Sequence, residues 1–313
     1  MCGIGGVSSK KISLITEEKI LKMKRYLVHR GPDDEGHYKS NKIIMIHTRL
    51  AIIDIKGGVQ PIENSDYTLT ANGEIYNDLE IRKENEKYKY QTGSDSESII
   101  SVYDNFGIDG FKKLRGMFAF ALFDKKKEEL IIGRDPFGIK PIYFCIKDGS
   151  FIYSSEPQSI IKSKLFNPNI GVNKVKELLQ LQFCSGRETI FKGIYRLRPG
   201  EILIIKDGNI SESHIFQKTD SLKKTIINDD DILEKLQESV SLHQRSDVPY
   251  GLFFSGGIDS TIVLYLMSLI NKSVNSYSII FPGQEHEKKN IEDICKNFKS
   301  SIKFIEFNEN DFW

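Results

Sequence analysis

Hydrophobic and polar positions along this 313-residue chain alternate between short strand patterns and helical patterns with one apolar face. Residues 2–8 are apolar and rich in glycine, which predicts a buried strand. Residues 16–27 predict a helix that begins at Thr16 and ends before Gly31-Pro32, because glycine and proline interrupt helices. The apolar runs on either side of the polar triplet His47-Thr48-Arg49 predict two further strands within residues 43–53.

The next segments keep this alternation as far as residue 205. A strand over residues 67–71 runs into Asn72-Gly73, a helix follows Thr92-Gly93-Ser94-Asp95, and alternating residues 117–153 predict several more strands. Residues 154–181 then become helical, and another strand ends near Ile205. The pattern therefore predicts an α+β domain over residues 1–205.

A second domain is predicted after the polar tract 206–229, whose lysines, serines and aspartates could not form a core. Residues 230–245 predict an amphipathic helix, and three strands are expected within residues 250–254, 274–281 and 302–307. A largely apolar helix between the first two of these strands indicates a parallel α/β sheet. Three strands make only half of a doubly wound sheet, so we predict an incomplete α/β domain over residues 230–313.

The composition excludes several classes of function. Hydrophobic residues make up 39% and charged residues 28% of the chain, and the formal net charge of +1 gives no field that favours nucleic acid or an anionic membrane. No apolar run is long enough to span a bilayer, and no signal peptide is recognisable. The four cysteines are far apart, which argues against zinc and disulfides. A cytoplasmic protein is the expectation.

Chemistry is first indicated at Met1-Cys2-Gly3-Ile4. Removal of Met1, expected before a small side chain, would leave a thiol and an α-amine together on Cys2. The amine titrates close enough to neutrality to take the thiol proton and return it to a leaving group. The resulting thiolate is a strong nucleophile toward an amide carbonyl. An ordinary buried cysteine is the alternative.

Three polar segments could complete a site around Cys2. Arg49, between apolar runs, needs an anionic partner, which is either a ligand carboxylate or a protein carboxylate. Asn72 and Gly73 could form a hairpin turn, or their amide and N–H groups could stabilise an oxyanion. Asp95 could cap the helix that follows it, or it could hold the ammonium group of a ligand.

A phosphate site is indicated in the second domain. A buried strand ends at Phe254 and is followed by Ser255-Gly256-Gly257-Ile258-Asp259-Ser260 and then by an apolar helix. Backbone N–H groups of the glycines, the serine hydroxyls and the helix dipole together favour an anion. No lysine follows the glycines, so this is not a Walker loop. A strand-to-helix turn with a serine or aspartate cap is the alternative.

In order along the chain, the first-domain segments resemble the class II glutamine amidotransferases, which use an N-terminal nucleophile. The matching motifs also include His29-Arg30-Gly31-Pro32-Asp33, Asn72 to Asn77, Leu114 to Ala121 and Gly133 to Pro141. The resemblance implies a four-layer αββα fold and Cys2 as nucleophile and base. It also implies an oxyanion hole at Asn72 and Gly73, and glutamine binding by Arg49, Glu74 and Asp95.

The second domain resembles the ATP pyrophosphatases, and the two domains together resemble the glutamine-hydrolysing asparagine synthetases. This implies ATP binding, with pyrophosphate or adenine contacts from Phe254, Ser255, Gly256, Gly257, Asp259, Ser260 and Ile279, and Mg²⁺ at Asp259. Ammonia released from glutamine would amidate β-aspartyl-AMP, so glutamine, aspartate and ATP are the expected substrates.

Other interpretations stay open. The chain could be a stand-alone glutaminase that donates ammonia, could act on another carboxylate, or could be a binding module without turnover. The expected asparagine synthetase is represented here by its amino-terminal portion, since later segments of the family are missing after Trp313. A homodimer, or a partner chain that supplies the missing segment, is therefore also an expectation.

Overall fold

The computed structural model describes residues 1–216, 228–283, 285–308 and 311, and the chain divides into two compact units, Met1–Ser221 and Leu222–Trp313. The helices of the first unit are α1 Glu17–Arg25, α2 Asp78–Glu84, α3 Glu97–Phe106, α4 Pro157–Lys162 and α5 Val172–Leu181. Its strands are β1 Gly3–Ser9, β2 Asp34–Lys39, β3 Ile43–Arg49, β4 Ile62–Glu63, β5 Tyr67–Ile75, β6 Gly116–Asp124, β7 Glu129–Arg134, β8 Tyr143–Lys147, β9 Ser150–Ser154, β10 Tyr195–Arg196, β11 Glu201–Lys206 and β12 Asn209–Ile215.

These strands form two antiparallel sheets within residues 1–216. One has the order β10-β8-β9-β1-β3-β2 and the other has the order β12-β11-β7-β6-β5-β4. In the first sheet, Gly3 pairs with Thr48, so the start of β1 lies beside the end of β3. In the second sheet, Asn72 of β5 pairs with Ala119 of β6. The segments that carry the predicted chemistry are therefore central strands.

The core of this unit has three apolar layers. Ile4 and Met45 from the first sheet pack with Ala121 and Leu203 from the second, so the two sheets face each other. On the outer face of the first sheet, apolar residues of α1 and α4 pack against β1 and β3. On the outer face of the second sheet, α3 packs against β5 and β6. The layers are thus helix, sheet, sheet and helix, which confirms the predicted αββα fold.

The structure differs from the sequence pattern at three places. β3 runs unbroken through the polar triplet to Arg49, whereas residues 50–53 are not a strand. β5 continues through Asn72-Gly73 to Ile75, so these residues do not form a hairpin turn. The segment predicted as a linker contains β12, which pairs with β11 and extends the first unit past residue 205. The remainder of that linker, 217–227, lies outside the described residues.

The second unit contains a parallel sheet. Its helices are α6 Asp229–His243, α7 Ile258–Ile270 and α8 Glu285–Asn297, and its strands are β13 Leu252–Phe253, β14 Asn275–Ile280 and β15 Ser301–Glu306. The strand order is β13-β14-β15, and both pairings are parallel. Phe254, Leu264, Val274 and Ile291 form part of its core. The three predicted strands and the parallel arrangement are confirmed.

Within the described ranges, no helix is both long enough and apolar enough to cross a membrane.

Candidate active site

Cys2 lies at the entrance to β1, in the wall of a cavity of about 210 Å³ in the first unit. Its thiol sulfur accepts a hydrogen bond from Leu50 N–H at 3.4 Å, and Leu50 directly follows β3. The cavity is lined by Cys2 together with the five first-unit residues that the sequence predicted or the resemblance implied, Arg49, Asn72, Gly73, Glu74 and Asp95. Positions far apart in the sequence therefore converge on one site.

The backbone that follows Cys2 is held by hydrogen bonds. Arg30 donates from Nε to the carbonyl oxygen of Cys2 at 3.0 Å, and its Nη1 pairs with Glu156 at 2.9 Å. Two residues later, Ile4 N–H donates to Ser155 Oγ at 3.0 Å. Gly3 is required here, because a Cβ would lie 2.6 Å from Thr48 Oγ1. The RGPD motif thus fixes the start of the chain through Arg30.

Burial shifts the ionisation of the groups at the amino terminus toward their neutral forms. Burial raises the pKa of the Cys2 thiol, and the hydrogen bond from Leu50 opposes this shift only in part. Burial also lowers the pKa of the terminal amine of Met1 below its usual value. General-base activation of this thiol would need the α-amine of Cys2 instead, which is free only after Met1 is removed.

Asn72 provides an unpaired donor inside this cavity. Its side chain is 1% exposed, and Nδ2 has no hydrogen-bond partner among the described residues. Unpaired buried donors are rare, and they are expected where a ligand or a reaction intermediate supplies the acceptor. Beside it, a Cβ at Gly73 would lie 2.1 Å from the carbonyl oxygen of Met117, so only glycine fits this strand position.

Arg49 is held by the chain segment that follows β3. Its Nη2 donates to the carbonyl oxygen of Asp54 at 2.6 Å and its Nη1 to that of Ile55 at 3.0 Å. No protein carboxylate within the described ranges forms an ion pair with it, which rules out that alternative there. The Asp54 carboxylate in turn accepts from Gly93 N–H at 2.7 Å. Arg49 therefore presents a positive charge to the cavity from a fixed loop.

Asp95 and Glu74 give the cavity its negative side. Asp95 does not cap α3, whose N-cap residue is Ser96; instead its Oδ2 accepts from Ile75 N–H at 2.6 Å. Burial raises the pKa of Asp95 to about 6, and the nearby negative charge of Glu74 adds to the increase. The hydrogen bond from Ile75 N–H acts in the opposite direction and lowers the pKa. Negative Asp95 and Glu74, with positive Arg49, match the ammonium and carboxylate groups of a free amino acid.

Sequence reasoning missed three residues that shape this site. Lys140 and Gln60 line the cavity. Gln60 Oε1 accepts from Ala71 N–H at 2.6 Å, whereas His47 Nε2 lies 3.1 Å from the Ala71 carbonyl oxygen. His47 is fully buried, which lowers its pKa to about 4 and keeps it neutral. His47 and Lys140 each lie within a motif, which was the only signal that either has a role, and Gln60 had no signal in the sequence.

The predicted phosphate loop has the expected local form in the second unit. Gly256 has φ of +74°, a conformation that glycine tolerates, and Gly257 is the N-cap residue of α7. The hydroxyls of Ser255 and Ser260 lie 3.2 Å apart, and Ser260 Oγ donates to the carbonyl oxygen of Gly257 at 3.0 Å. Hydroxyls and the helix N-terminus therefore meet in one loop, as anion binding requires.

The other predicted nucleotide contacts are Phe254 before the loop, Asp259 in the first turn of α7 and Ile279 on β14. Phe254 is buried directly before the loop, whereas the side chain of Ile279 on β14 is 54% exposed. Asp259 lies in the first turn of α7. No group of three or more metal-ligating side chains occurs in the described part of the chain. Asp259 therefore belongs to no such group there.

The first unit thus combines an αββα fold with a cavity that is lined by a cysteine and by charged groups of both signs, and family comparisons define its class. Residues 1–216 match the family described as glutamine amidotransferase domain, and residues 231–313 match the family described as asparagine synthase. The chain belongs to the glutamine amidotransferase family, which confirms the resemblance found in its motifs.

Individual relatives carry the asparagine synthetase name. Asparagine synthetase (glutamine-hydrolyzing) 1 of Bacillus subtilis is 34% identical, with 91% of this chain and 46% of that protein aligned. Asparagine synthetase B (glutamine-hydrolyzing) of Escherichia coli is 34% identical over 84% of this chain and 44% of its own length. A Methanocaldococcus jannaschii protein, whose asparagine synthetase name is itself provisional, is 34% identical over 100% of this chain and 66% of its own. The chain thus spans about half to two thirds of these relatives.

Solved structures support the fold. The glutamine phosphoribosylpyrophosphate amidotransferase of B. subtilis has a TM-score of 0.50 at 16% identity, covering 97% of this chain and 81% of that chain. A structure described as the allosteric regulatory enzyme of purine biosynthesis has a TM-score of 0.51 at 15% identity, covering 97% of this chain and 80% of that chain. At these identities the likeness concerns the fold alone.

Proposed function

We propose that this chain hydrolyses glutamine at Cys2 and that the protein uses the ammonia to make asparagine from aspartate and ATP. Cys2, after loss of Met1, is the nucleophile, and its own α-amine is the base. Asn72 Nδ2 and the N–H of Gly73 stabilise the oxyanion. Arg49 binds the α-carboxylate of glutamine, while Glu74 and Asp95 bind its α-ammonium group.

In the proposed glutaminase reaction, the thiol, the α-amine and water supply every proton and bond, and no cofactor is needed. The α-amine takes the thiol proton, and the sulfur bonds to the carboxamide carbon to give a tetrahedral anion beside Asn72. That anion collapses as the C–N bond breaks, and the ammonium form of the amine returns a proton to the departing nitrogen. Water, deprotonated by the same amine, then attacks the thioester, releases glutamate and restores the thiol.

In the second unit we propose ATP binding at Ser255, Gly256, Gly257 and Ser260, with Phe254 and Ile279 near the adenine. Asp259 would hold Mg²⁺ together with the ATP phosphates, where the ion neutralises charge as pyrophosphate leaves. Aspartate attacks the α-phosphorus and becomes β-aspartyl-AMP, and ammonia then displaces AMP to give asparagine. The relatives' names and the family match over residues 231–313 support this half of the proposal.

One observation carries the glutaminase proposal. The buried Asn72 amide, which has no acceptor within the described residues, lines the same small cavity as the Cys2 thiol. A purely structural asparagine in a strand interior would be expected to find an acceptor, because an unmade buried hydrogen bond costs about 1–3 kcal/mol. A tetrahedral oxyanion formed at Cys2 supplies one.

The proposal is tested by glutamine hydrolysis with the purified chain. We expect glutamate release from the wild type and none from Cys2→Ala, whereas Cys184→Ala, which alters a buried free cysteine outside the cavity, keeps the activity. Mass spectrometry should find Cys2 as the first residue. Retained activity in Cys2→Ala would contradict the proposal.

Adding ATP, Mg²⁺ and aspartate tests the synthetase half separately. Formation of AMP, pyrophosphate and asparagine supports it, and Asp259→Asn should then reduce AMP formation without changing glutamate release. Glutamate release with no AMP would instead assign this chain to the stand-alone glutaminases. AMP formation that appears only with an added partner chain, or only in a dimeric fraction, would support the expected partner or homodimer.

We also propose a cytoplasmic location, because all four cysteines are free thiols, as a reducing compartment would keep them. Cell fractionation tests this.

A further inference from the structure

Lys140 is a buried lysine in the wall of the candidate active site. Its side chain is only 7% exposed, it lines the cavity that contains Cys2, and no hydrogen bond or ion pair of its Nζ is found within the described ranges. Lysine is rarely buried to this degree without a paired anion, because the desolvated charge is costly. A cavity that keeps such a charge is suited to an anion that forms there.

The segment that carries Lys140 is rigid. The Asp135 carboxylate accepts from the N–H groups of Phe137, Ile139 and Lys140, each at 3.0 Å. Arg134 Nε donates to the Lys140 carbonyl oxygen at 2.8 Å, so the backbone is held from both directions. The backbone of Lys140 is therefore held before any substrate enters, which limits the positions that its charge can take.

Several charged groups from other elements act on Lys140. Burial lowers its pKa, and Glu74 on β5 opposes this most strongly. Arg30 lowers the pKa of Lys140 further, whereas Cys2 and Asp135 raise it. The positive charge of Lys140 also contributes to the lowered pKa of the terminal amine. Lys140 is thus coupled electrostatically to the Cys2 thiol and to the amine of Met1, the residue before it.

We propose that Lys140 supplies the fixed positive charge that stabilises the Cys2 thiolate and the tetrahedral anion formed from it. This inference rests on the proposed glutaminase function. Lys140 makes and breaks no bond; it favours each negatively charged state and also favours the free-base form of the neighbouring amine. It adds a charged group to a site in which Asn72 and Gly73 provide neutral dipoles.

The test compares Lys140→Met and Lys140→Gln, which remove the charge, with Lys140→Arg, which keeps it. Lys147→Gln is the matched control, because it removes a lysine charge from the nearby strand β8, outside the cavity lining. The rate of Cys2 alkylation by iodoacetamide is measured against pH by mass spectrometry of the Cys2 peptide. Glutaminase kcat and KM are measured on the same proteins, and thermal melting confirms that each is folded.

We expect both neutral variants to move the alkylation midpoint up by about one pH unit, which slows alkylation at neutral pH about tenfold. Their kcat should fall about tenfold, with KM for glutamine within about twofold. Lys140→Arg should retain most of the wild-type rate, and Lys147→Gln should match the wild type in every measurement.

An unchanged alkylation midpoint in a folded neutral variant overturns the inference, even when wild-type glutaminase activity is normal. Equal loss in Lys140→Arg and Lys140→Met also overturns it, because packing rather than charge would then be responsible. If the wild type releases no glutamate, the proposed function fails. The alkylation profiles still decide whether Lys140 acts on the thiolate.

Discussion

Replacement of Asn72 by alanine separates catalysis from stability. The side-chain amide is buried, and its Nδ2 has no acceptor within the described residues. The substitution therefore breaks no hydrogen bond of Nδ2 with those residues. We expect the free energy of unfolding to change by about 1 kcal/mol or less, since the loss of packing is offset by removal of an unpaired donor. Loss of one oxyanion donor costs about 2.7–4 kcal/mol in the transition state, so kcat should fall about 10²- to 10³-fold.

Asn85→Ala is the matched control for this prediction. Asn85 is also a buried asparagine, but its Nδ2 donates to Ser101 Oγ at 3.0 Å, outside the cavity. We expect this variant to lose about 1–3 kcal/mol of stability and to keep the kcat of the folded enzyme. The assay is glutamate release at saturating glutamine, combined with urea unfolding of both variants. An Asn72→Ala protein with normal kcat, or with a large loss of stability, would refute the oxyanion role.

Three further predictions concern pH and packing. Burial raises the pKa of Asp95 to about 6, so its carboxylate becomes protonated as the pH falls through 6. Below that pH, KM for glutamine should rise about tenfold per pH unit. The variant Asp95→Asn should have a high KM that no longer depends on pH in this range. Burial lowers the pKa of His47 from 6.5 to about 4, so between these pH values the unfolded state binds more protons than the folded state. The free energy of unfolding should therefore fall by about 3 kcal/mol as the pH drops from 6.5 to 4. Urea titrations of His47→Gln should not show this loss of stability. A Cβ in Gly73→Ala would lie 2.1 Å from the Met117 carbonyl oxygen, whereas a Cβ in Gly171→Ala would have its nearest neighbour at 3.5 Å. In thermal melts, Gly73→Ala should lose roughly 1–3 kcal/mol of stability or more, and Gly171→Ala should change little.

Much of the site could be predicted because each motif is recognisable within a few consecutive residues. Residue chemistry made Cys2, Asn72 and Gly73 candidates, the family resemblance implied their roles, and the structure brings them to one cavity. The hairpin alternative for Asn72-Gly73 is wrong because pairing with β6 continues through both residues. Local turn propensity was outweighed by pairing with the distant strand β6, which no short-range pattern reveals.

Long-range contacts could not be predicted in the same way. For Arg49 the sequence left a ligand carboxylate and a protein carboxylate as alternatives, and it did not indicate that the guanidinium also donates to backbone carbonyls of the segment that follows it. The ligand carboxylate stays a prediction. Lys140 follows Asp135 in a loop motif, and nothing in its spacing indicates that it faces Cys2. Polar residues 209–215 looked like part of a linker because β12 is an edge strand and its side chains are mostly exposed.

The hydrogen bond from Arg30 to the Cys2 carbonyl oxygen affects when Met1 can be removed. An aminopeptidase must draw the first peptide bond and the residue after it into its own cleft, but here the backbone of residues 2–4 is already bonded to Arg30, Ser155 and β3. We therefore expect trimming of Met1 to occur while the nascent chain is still extended. A molecule that folds first would keep its methionine and remain inert, so the timing of processing against folding would set the active fraction of the protein.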